Sequence, residues 1–342
     1  MRTAARVGLA LVCVLLLAGG NAWGQPRVFY KLTLPGALSY EQHMPSLVAH
    51  VKGFFEEEGI QLNEFLLGSG GTMRTAMIAR EFDFGLFAFV HVPIARNAGS
   101  PWKVVLTTYE QEIFSMMVRS ELKDRVRTIP DLRGLKVGFS TPGSGAWLMA
   151  SVYLKKSGLD PLKDVQFLSI GADAGVIYTA LKTGRVDAFP TWEPTTTRVI
   201  EDGVAVPLVR IWEPAQHRQW VGAEKATALV LVTRTDVITR NPGLVRRVVN
   251  AHKKALAFIK TSRPSDLASL ILGNPKAAAL FTGLDPADVV RIIERVKSGW
   301  GNGCLSKSGF EAEMRLAVEY ELVRQAITFE DFADTRFAGA CP

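Results

Sequence analysis

Apolar positions in this chain fall into short runs with the two-residue period of strands, alternating with stretches whose apolar residues recur every three to four positions. The run Val28–Leu34 reads as a strand, followed by a helix around Ser46–Glu58, a strand Ile60–Leu67, a helix Thr72–Arg80 and a short strand Phe82–Leu86. The same order returns downstream: strand Lys136–Ser140, helix Ala146–Ser157, strand Val165–Ser169, helix Ala174–Thr183 and strand Val186–Phe189. Alternation of this kind specifies an α/β fold.

The two halves share residues as well as order. Thr33-Leu34-Pro35-Gly36 aligns with Ser140-Thr141-Pro142-Gly143, and Phe54-Phe55 with Gly59-Ile60 aligns with Tyr153-Leu154 with Gly158-Leu159. Gly71, Thr75-Ala76-Met77 and Asp83 align with Gly175, Thr179-Ala180-Leu181 and Asp187. The offset changes between these matches, as it does when a framework is duplicated and its loops vary. In each half a strand runs into a Gly-containing loop and then a helix, the arrangement that forms a ligand crevice at the carboxyl ends of parallel strands. The expected plan is two similar lobes around a central cleft: lobe 1 from residues 25–119 plus 229–342, and lobe 2 from 120–228. Ile113–Arg119 and Leu229–Thr233 are the expected hinge strands.

Residues 1–24 stand apart from this pattern. Arg2 and Arg6 precede an apolar stretch Val7–Ala18, and Ala22-Trp23-Gly24 places small residues at the −3 and −1 positions of a cut before Gln25. That is the layout of a secretory signal, with cleavage expected after Gly24 and a periplasmic destination. No later run reaches the roughly 18 apolar residues that span a bilayer. Lys and Arg number 40 against 33 Asp and Glu, and removal of Arg2 and Arg6 lowers the formal excess from +7 to +5. The remaining bases, such as Arg246, Arg247, Lys253, Lys254 and Lys260, are spread along helical stretches without interleaved aromatics, which argues against a nucleic-acid partner. Cys304 and Cys341 remain after the signal, and export to an oxidising compartment favours a disulfide between them. There is no CxxC, and the five histidines show no ligand spacing, so neither a metal nor a cofactor is expected.

The sequence resembles the substrate-binding proteins of bacterial ABC importers, in the branch that takes up nitrate, sulfonates, taurine and thiamine-pyrimidine precursors. The carriers are Gly53-Phe54-Phe55-Glu56-Glu57-Glu58-Gly59-Ile60, Gly68-Ser69-Gly70-Gly71, Asp83-Phe84-Gly85, Asp131-Leu132-Arg133-Gly134-Leu135-Lys136-Val137-Gly138 and Ala180-Leu181-Lys182-Thr183-Gly184-Arg185-Val186-Asp187-Ala188. The resemblance implies a periplasmic-binding-protein fold of type II, monomeric, that closes on a small organic ligand and delivers it to an inner-membrane permease. Arg80-Glu81 departs from the family, which usually has Gly there, and Phe87-Ala88-Phe89 is bulkier than the family's small polar residues. A ligand larger than nitrate, with an apolar part, fits better.

Candidate ligand contacts follow from these loops. Thr141, Ser144, Gly145 and Ala146 open a lobe 2 helix whose free N–H groups favour a sulfonate or carboxylate. Ser69, Gly70 and Thr72 play the same part in lobe 1. Ser39, Tyr40 and Gln42 belong to a loop, Ala37–His43, expected to rim the cleft, with His43 read as exposed. Phe87 and Ala88 supply an apolar wall. Thr191, Trp192 and Glu193 end a lobe 2 strand, where Trp192 can stack on a ring or chain and Glu193 is expected to bind an amine, pair with an Arg or face away. Asp83 and Asp187 read as structural. A serine-hydrolase elbow fails because Gly138-Phe139-Ser140-Thr141-Pro142 ends in Pro where Gly is required. The reading is therefore a binding protein and not an enzyme; the alternatives are a ligand-sensing periplasmic domain and a pyrimidine-precursor enzyme on the same fold.

Overall fold

The computed structural model describes residues 29–37 and 39–342. The expected signal segment and its cleavage point lie outside the described residues. The first αβ unit runs β1 (Tyr30–Gly36), α1 (Tyr40–Val51), α2 (Phe54–Glu57), β2 (Ile60–Leu67), α3 (Gly70–Ile78), β3 (Phe84–Ala88), α4 (His91–Asn97) and β4 (Trp102–Tyr109). The second comprises β5 (Ser115–Arg119), β6 (Lys136–Phe139), α5 (Gly145–Lys156), β7 (Gln166–Ser169), α6 (Ala174–Lys182), β8 (Ala188–Thr191), α7 (Thr195–Glu201), β9 (Ala205–Pro207) and α8 (Pro214–Val221). The chain then returns through β10 (Leu229–Arg234) into α9 (Thr235–Arg240), α10 (Pro242–Thr261), α11 (Pro264–Leu272), α12 (Pro275–Ala278), α13 (Pro286–Val296), α14 (Lys307–Glu319), α15 (Phe329–Phe332) and α16 (Thr335–Ala338).

Three sheets result. β1 and β2 pair in parallel, with an irregularity at Leu32/Thr33. β10 lies antiparallel between β3 and β4, setting Leu229 opposite both Ala88 and Tyr109. The third has the order β7-β6-β8-β5-β9. The stretch Ile113–Arg119, expected as a hinge strand, supplies β5, which is hydrogen-bonded into this third sheet, antiparallel to β8 and β9. The paired acids close local structure: Asp187 accepts from Lys136 N at 3.0 Å and pairs with Arg119, while Asp83 accepts from Tyr30 and pairs with the buried Arg234.

One stretch departs from the expected pattern. Ala37–His43 reads as a loop, yet α1 starts at Tyr40, because Ser39 caps it by accepting from Gln42 N at 3.2 Å. Pro45 sits inside that helix and cannot donate to the carbonyl of Glu41. The indole N–H of Trp300 donates to that carbonyl instead, at 2.9 Å, so the buried acceptor stays satisfied. The exposed position expected for His43 is wrong for the same reason: the helix carries it into the core, with its ring edge-on to Phe65 and Nδ1 3.0 Å from Ser39 O.

The expected disulfide is present. Cys304 and Cys341 are joined with their Cα atoms 5.0 Å apart, and Cys341 N donates to Leu305 O at 3.0 Å beside the bond.

Candidate ligand-binding cleft

Three helices begin at one cavity, each after a strand and each with a serine cap. Ser39 caps α1, Ser69 caps α3 through Thr72 N, and Ser144 caps α5 through Trp147 N. The first N–H groups of a helix have no partner within it and carry the positive end of its dipole, so three such starts make a donor-rich wall. Of the residues expected to contact ligand, Ser39, Gln42, Gly70, Phe87, Ala88, Ser144, Gly145, Ala146 and Trp192 line one cavity. Ala37, Leu86, His91, Ile113, Phe114, Ser140, Ala172 and Leu229 line it as well. No carboxylate and no Lys or Arg is among these lining residues.

Two glycines let the walls meet. A Cβ on Gly145 would fall 2.5 Å from the Phe114 ring, and one on Gly70 would fall 2.4 Å from His91 Nε2. Phe114 in turn meets Trp192 edge to face, with ring centroids 5.5 Å apart. The Gln42 amide nitrogen is buried without a hydrogen-bond partner, which is costly unless something in the cavity accepts from it. Ser140 Oγ donates to Ser144 Oγ at 2.7 Å, so Ser144 keeps its own hydroxyl proton for another acceptor. The cavity holds about 30 Å³, roughly the volume one water occupies in the liquid.

The other expected residues stand elsewhere. Tyr40 is turned away, with its ring stacked on Phe281 and its hydroxyl donating to Leu280 O at 2.9 Å. Thr72 is exposed and bonds Ser69. The Thr141 hydroxyl is buried without a partner and faces Gly71, across the cleft mouth. Thr191 is bonded to Thr196.

Glu193 takes the second of its expected roles and pairs with an arginine. Arg295 on α13 donates to Glu193 Oε1 at 2.7 Å and to Thr197 Oγ1 at 3.0 Å, and Thr197 N donates to Glu193 Oε2. Glu41 lies against the same group, accepting from Glu193 N at 3.2 Å and from Ser39 Oγ at 2.8 Å. The cluster therefore joins the start of α1 and the late helix α13 to the end of β8 in the third sheet. Burial, and then the charge of Glu193, push Glu41 up to about 8. Burial also raises Glu193, against the pull of Arg295.

This gives a pH dependence with a definite sign. A carboxyl raised in the folded state stabilises it below its unfolded value, and that contribution is lost as pH rises through the folded one. The five histidines are all shifted down by burial, so their contribution runs the other way, rising as pH passes through about 6.5 and levelling off about one unit higher. Between pH 6.5 and 8 Glu41 on its own should lower unfolding free energy by up to about 1.4 kcal/mol per pH unit, on top of whatever the histidines contribute. Glu112, also raised by burial, to about 7, adds to the lower part of the window. Chemical denaturation across this window should give that slope as the difference between the wild type and Glu41→Gln, in which the histidine contribution cancels. Identical slopes would show that Glu41 is already ionised.

Sequence reasoning missed His91, Ile113, Phe114 and Ala172. The repeat held a signal for Ser140, the counterpart of Thr33 in β1. His91 had none, because nothing in its neighbours marks a helix start that faces a cleft.

A family model described as NMT1/THI5 like matches residues 40–264. No curated protein matches the sequence. Among solved structures, a Bordetella bronchiseptica protein is similar with a TM-score of 0.78 at 20% identity, over 91% of this chain and 96% of that one. The alkanesulfonate-binding protein SsuA from Xanthomonas axonopodis pv. citri, bound to MOPS, gives a TM-score of 0.68 at 19% identity, over 89% and 98%. The periplasmic nitrate-binding protein NrtA from Synechocystis gives 0.68 at 15%, over 86% and 83%. The chain has the periplasmic-binding-protein fold.

Proposed function

We propose, since the chain belongs to the NMT1/THI5-like family, that it is an extracytoplasmic solute-binding protein that captures a small organic anion and hands it to an ABC permease. The observation that carries this reading is the cleft wall: three capped helix starts, an unpartnered Gln42 amide and the free Ser144 proton all offer donors, and no carboxylate lines the cavity to repel an anion. Phe87, Phe114 and Trp192 offer the apolar surface for the rest of the molecule. Lobe 1 would comprise residues 25–119 and 229–342, lobe 2 residues 120–228, and their separation would admit a ligand that a cavity of about 30 Å³ cannot. The binding-protein role agrees with the sulfonate- and nitrate-binding neighbours. Among the described residues no helix is long and apolar enough to cross a membrane.

A thermal-shift screen of the protein from Gln25 onward against sulfonates, carboxylates, nitrate and pyrimidines tests the reading, because a ligand at 100 times its dissociation constant stabilises by about 2.7 kcal/mol. Ser144→Ala and Trp192→Ala should each weaken the responding ligand about tenfold or more, the worth of one charge-assisted bond or one buried aromatic contact. Ser144→Ala should also lower stability by about 1 kcal/mol through the lost cap. Undiminished affinity in both variants would move the site elsewhere, and no response to any class would reject the solute-binding role.

A further inference from the structure

Arg74, on α3, is a half-buried cation with only neutral partners. Its Nη1 lies 2.8 Å from His91 Nδ1 and donates to Gly143 O at 2.9 Å, which carries it across the cleft to the loop before α5. Among the described residues no carboxylate pairs with it. A guanidinium has no acceptor, so His91 Nδ1 must accept, and the proton of the neutral ring sits on Nε2. Burial, with Arg74 beside it, holds His91 well below its ordinary value and so keeps the ring neutral. Nε2 lies against Gly70 at the cavity wall, where any larger residue would displace it, and among the described residues it has no hydrogen-bond partner.

From this geometry we infer that the Arg74–His91 pair selects charged over neutral ligands: His91 donates Nε2–H to an anionic group, and Arg74 acts behind it as the positioning residue that fixes the tautomer and supplies the countercharge. The inference rests on the solute-binding reading above. An imidazole polarised by a guanidinium is a stronger donor than a free one, and its field attracts an anion but is indifferent to an isosteric amide. The same guanidinium reaches Gly143 O only when the two sides of the cleft are together, so capture of an anion and closure share one residue.

The test has one arm that needs no ligand. Histidine ¹⁵N NMR of the wild type should show His91 neutral with its proton on Nε2, and Arg74→Gln should lose that fixed tautomer while its circular-dichroism melt stays cooperative. A wild-type His91 found protonated, or carrying its proton on Nδ1, overturns the proposal. The second arm measures affinity for matched pairs, benzenesulfonate against benzenesulfonamide and benzoate against benzamide. The wild type should prefer an anion, Arg74→Gln and His91→Gln should weaken that anion ~10- to 100-fold without changing the amide, and Arg74→Lys should recover part of the loss. Equal binding of the anion by wild type and Arg74→Gln, or wild-type preference for the amide, removes the selectivity role and leaves the solute-binding role standing. Failure of the wild type to bind any of the four rejects both readings for aromatic ligands of this size.

Discussion

Arg295→Ala should lower the unfolding free energy at pH 7 by about 3–5 kcal/mol, the cost of stranding one member of a buried ion pair. Glu193 is only 2% exposed, and its carboxylate is held by Arg295 on one oxygen and by Thr197 N on the other. Removing the guanidinium leaves a buried charge that must find water or a proton. The deficit should shrink as pH falls and Glu193 becomes neutral. Glu193→Gln in the Arg295→Ala background should recover much of the loss, because the partner left behind no longer carries charge. Arg295 also stacks on Trp212 at 4.7 Å, so Arg295→Met, which keeps the packing, separates that contact from the ion pair. Urea titrations at pH 5 and 7 would measure all of these, and a loss under 1 kcal/mol at pH 7 would mean that the pair contributes little to folding.

Reduction of the Cys304–Cys341 disulfide, or its replacement by serines, should cost about 4 kcal/mol by the loop-entropy relation for a closure of this length. The bond secures a tail with a packing role. Asp334 N donates to Val104 O and Ala333 bridges to Val104, so the tail covers β4 along its free edge, while Phe332 packs between Phe89 and Phe310. With the bond open, the tail is held by these contacts, by the Leu305 hydrogen bonds, by the Arg96–Asp331 ion pair and by Lys253, which donates to Ala338 O. The urea midpoint with and without reductant gives the value directly. A shift below about 1 kcal/mol would show that the unfolded chain is already constrained there.

How far the sequence disclosed this molecule depends on what kind of signal each residue leaves. The strand at Ile60–Leu67 has the predicted bounds, and helices Gly70–Ile78, Gly145–Lys156 and Ala174–Lys182 lie within two residues of theirs, because apolar period and Gly punctuation are local properties. Ser144, Gly145 and Gly70 were found for the same reason: a cap and a glycine mark a helix start, and a helix start after a parallel strand faces the crevice. The helix expected from about Ser46 starts at Tyr40 instead and runs through Pro45, where the bond that compensates for the missing N–H comes from Trp300, 255 residues away. Phe114 and His91 were invisible because an aromatic or imidazole reaches a cleft through tertiary placement, which no short window records. An arginine partner was one of three roles open to Glu193, and Arg295 could not be singled out, being one basic residue on an amphipathic helix like several others.

The place of Leu229–Arg234 between β3 and β4 has a bearing on how the polypeptide is made. Those two strands are complete by Tyr109, yet neither pairs with the other, and the segment that joins them arrives 120 residues later. Until it does, two apolar edges lie open, with closure of a long loop still to come. A nascent chain that ends before Leu229 therefore cannot complete this sheet, whereas Ser115–Pro207 already holds every strand of the five-stranded one. Synthesis and folding are thus out of step by construction, and most of the polypeptide has emerged before its beginning can become stable.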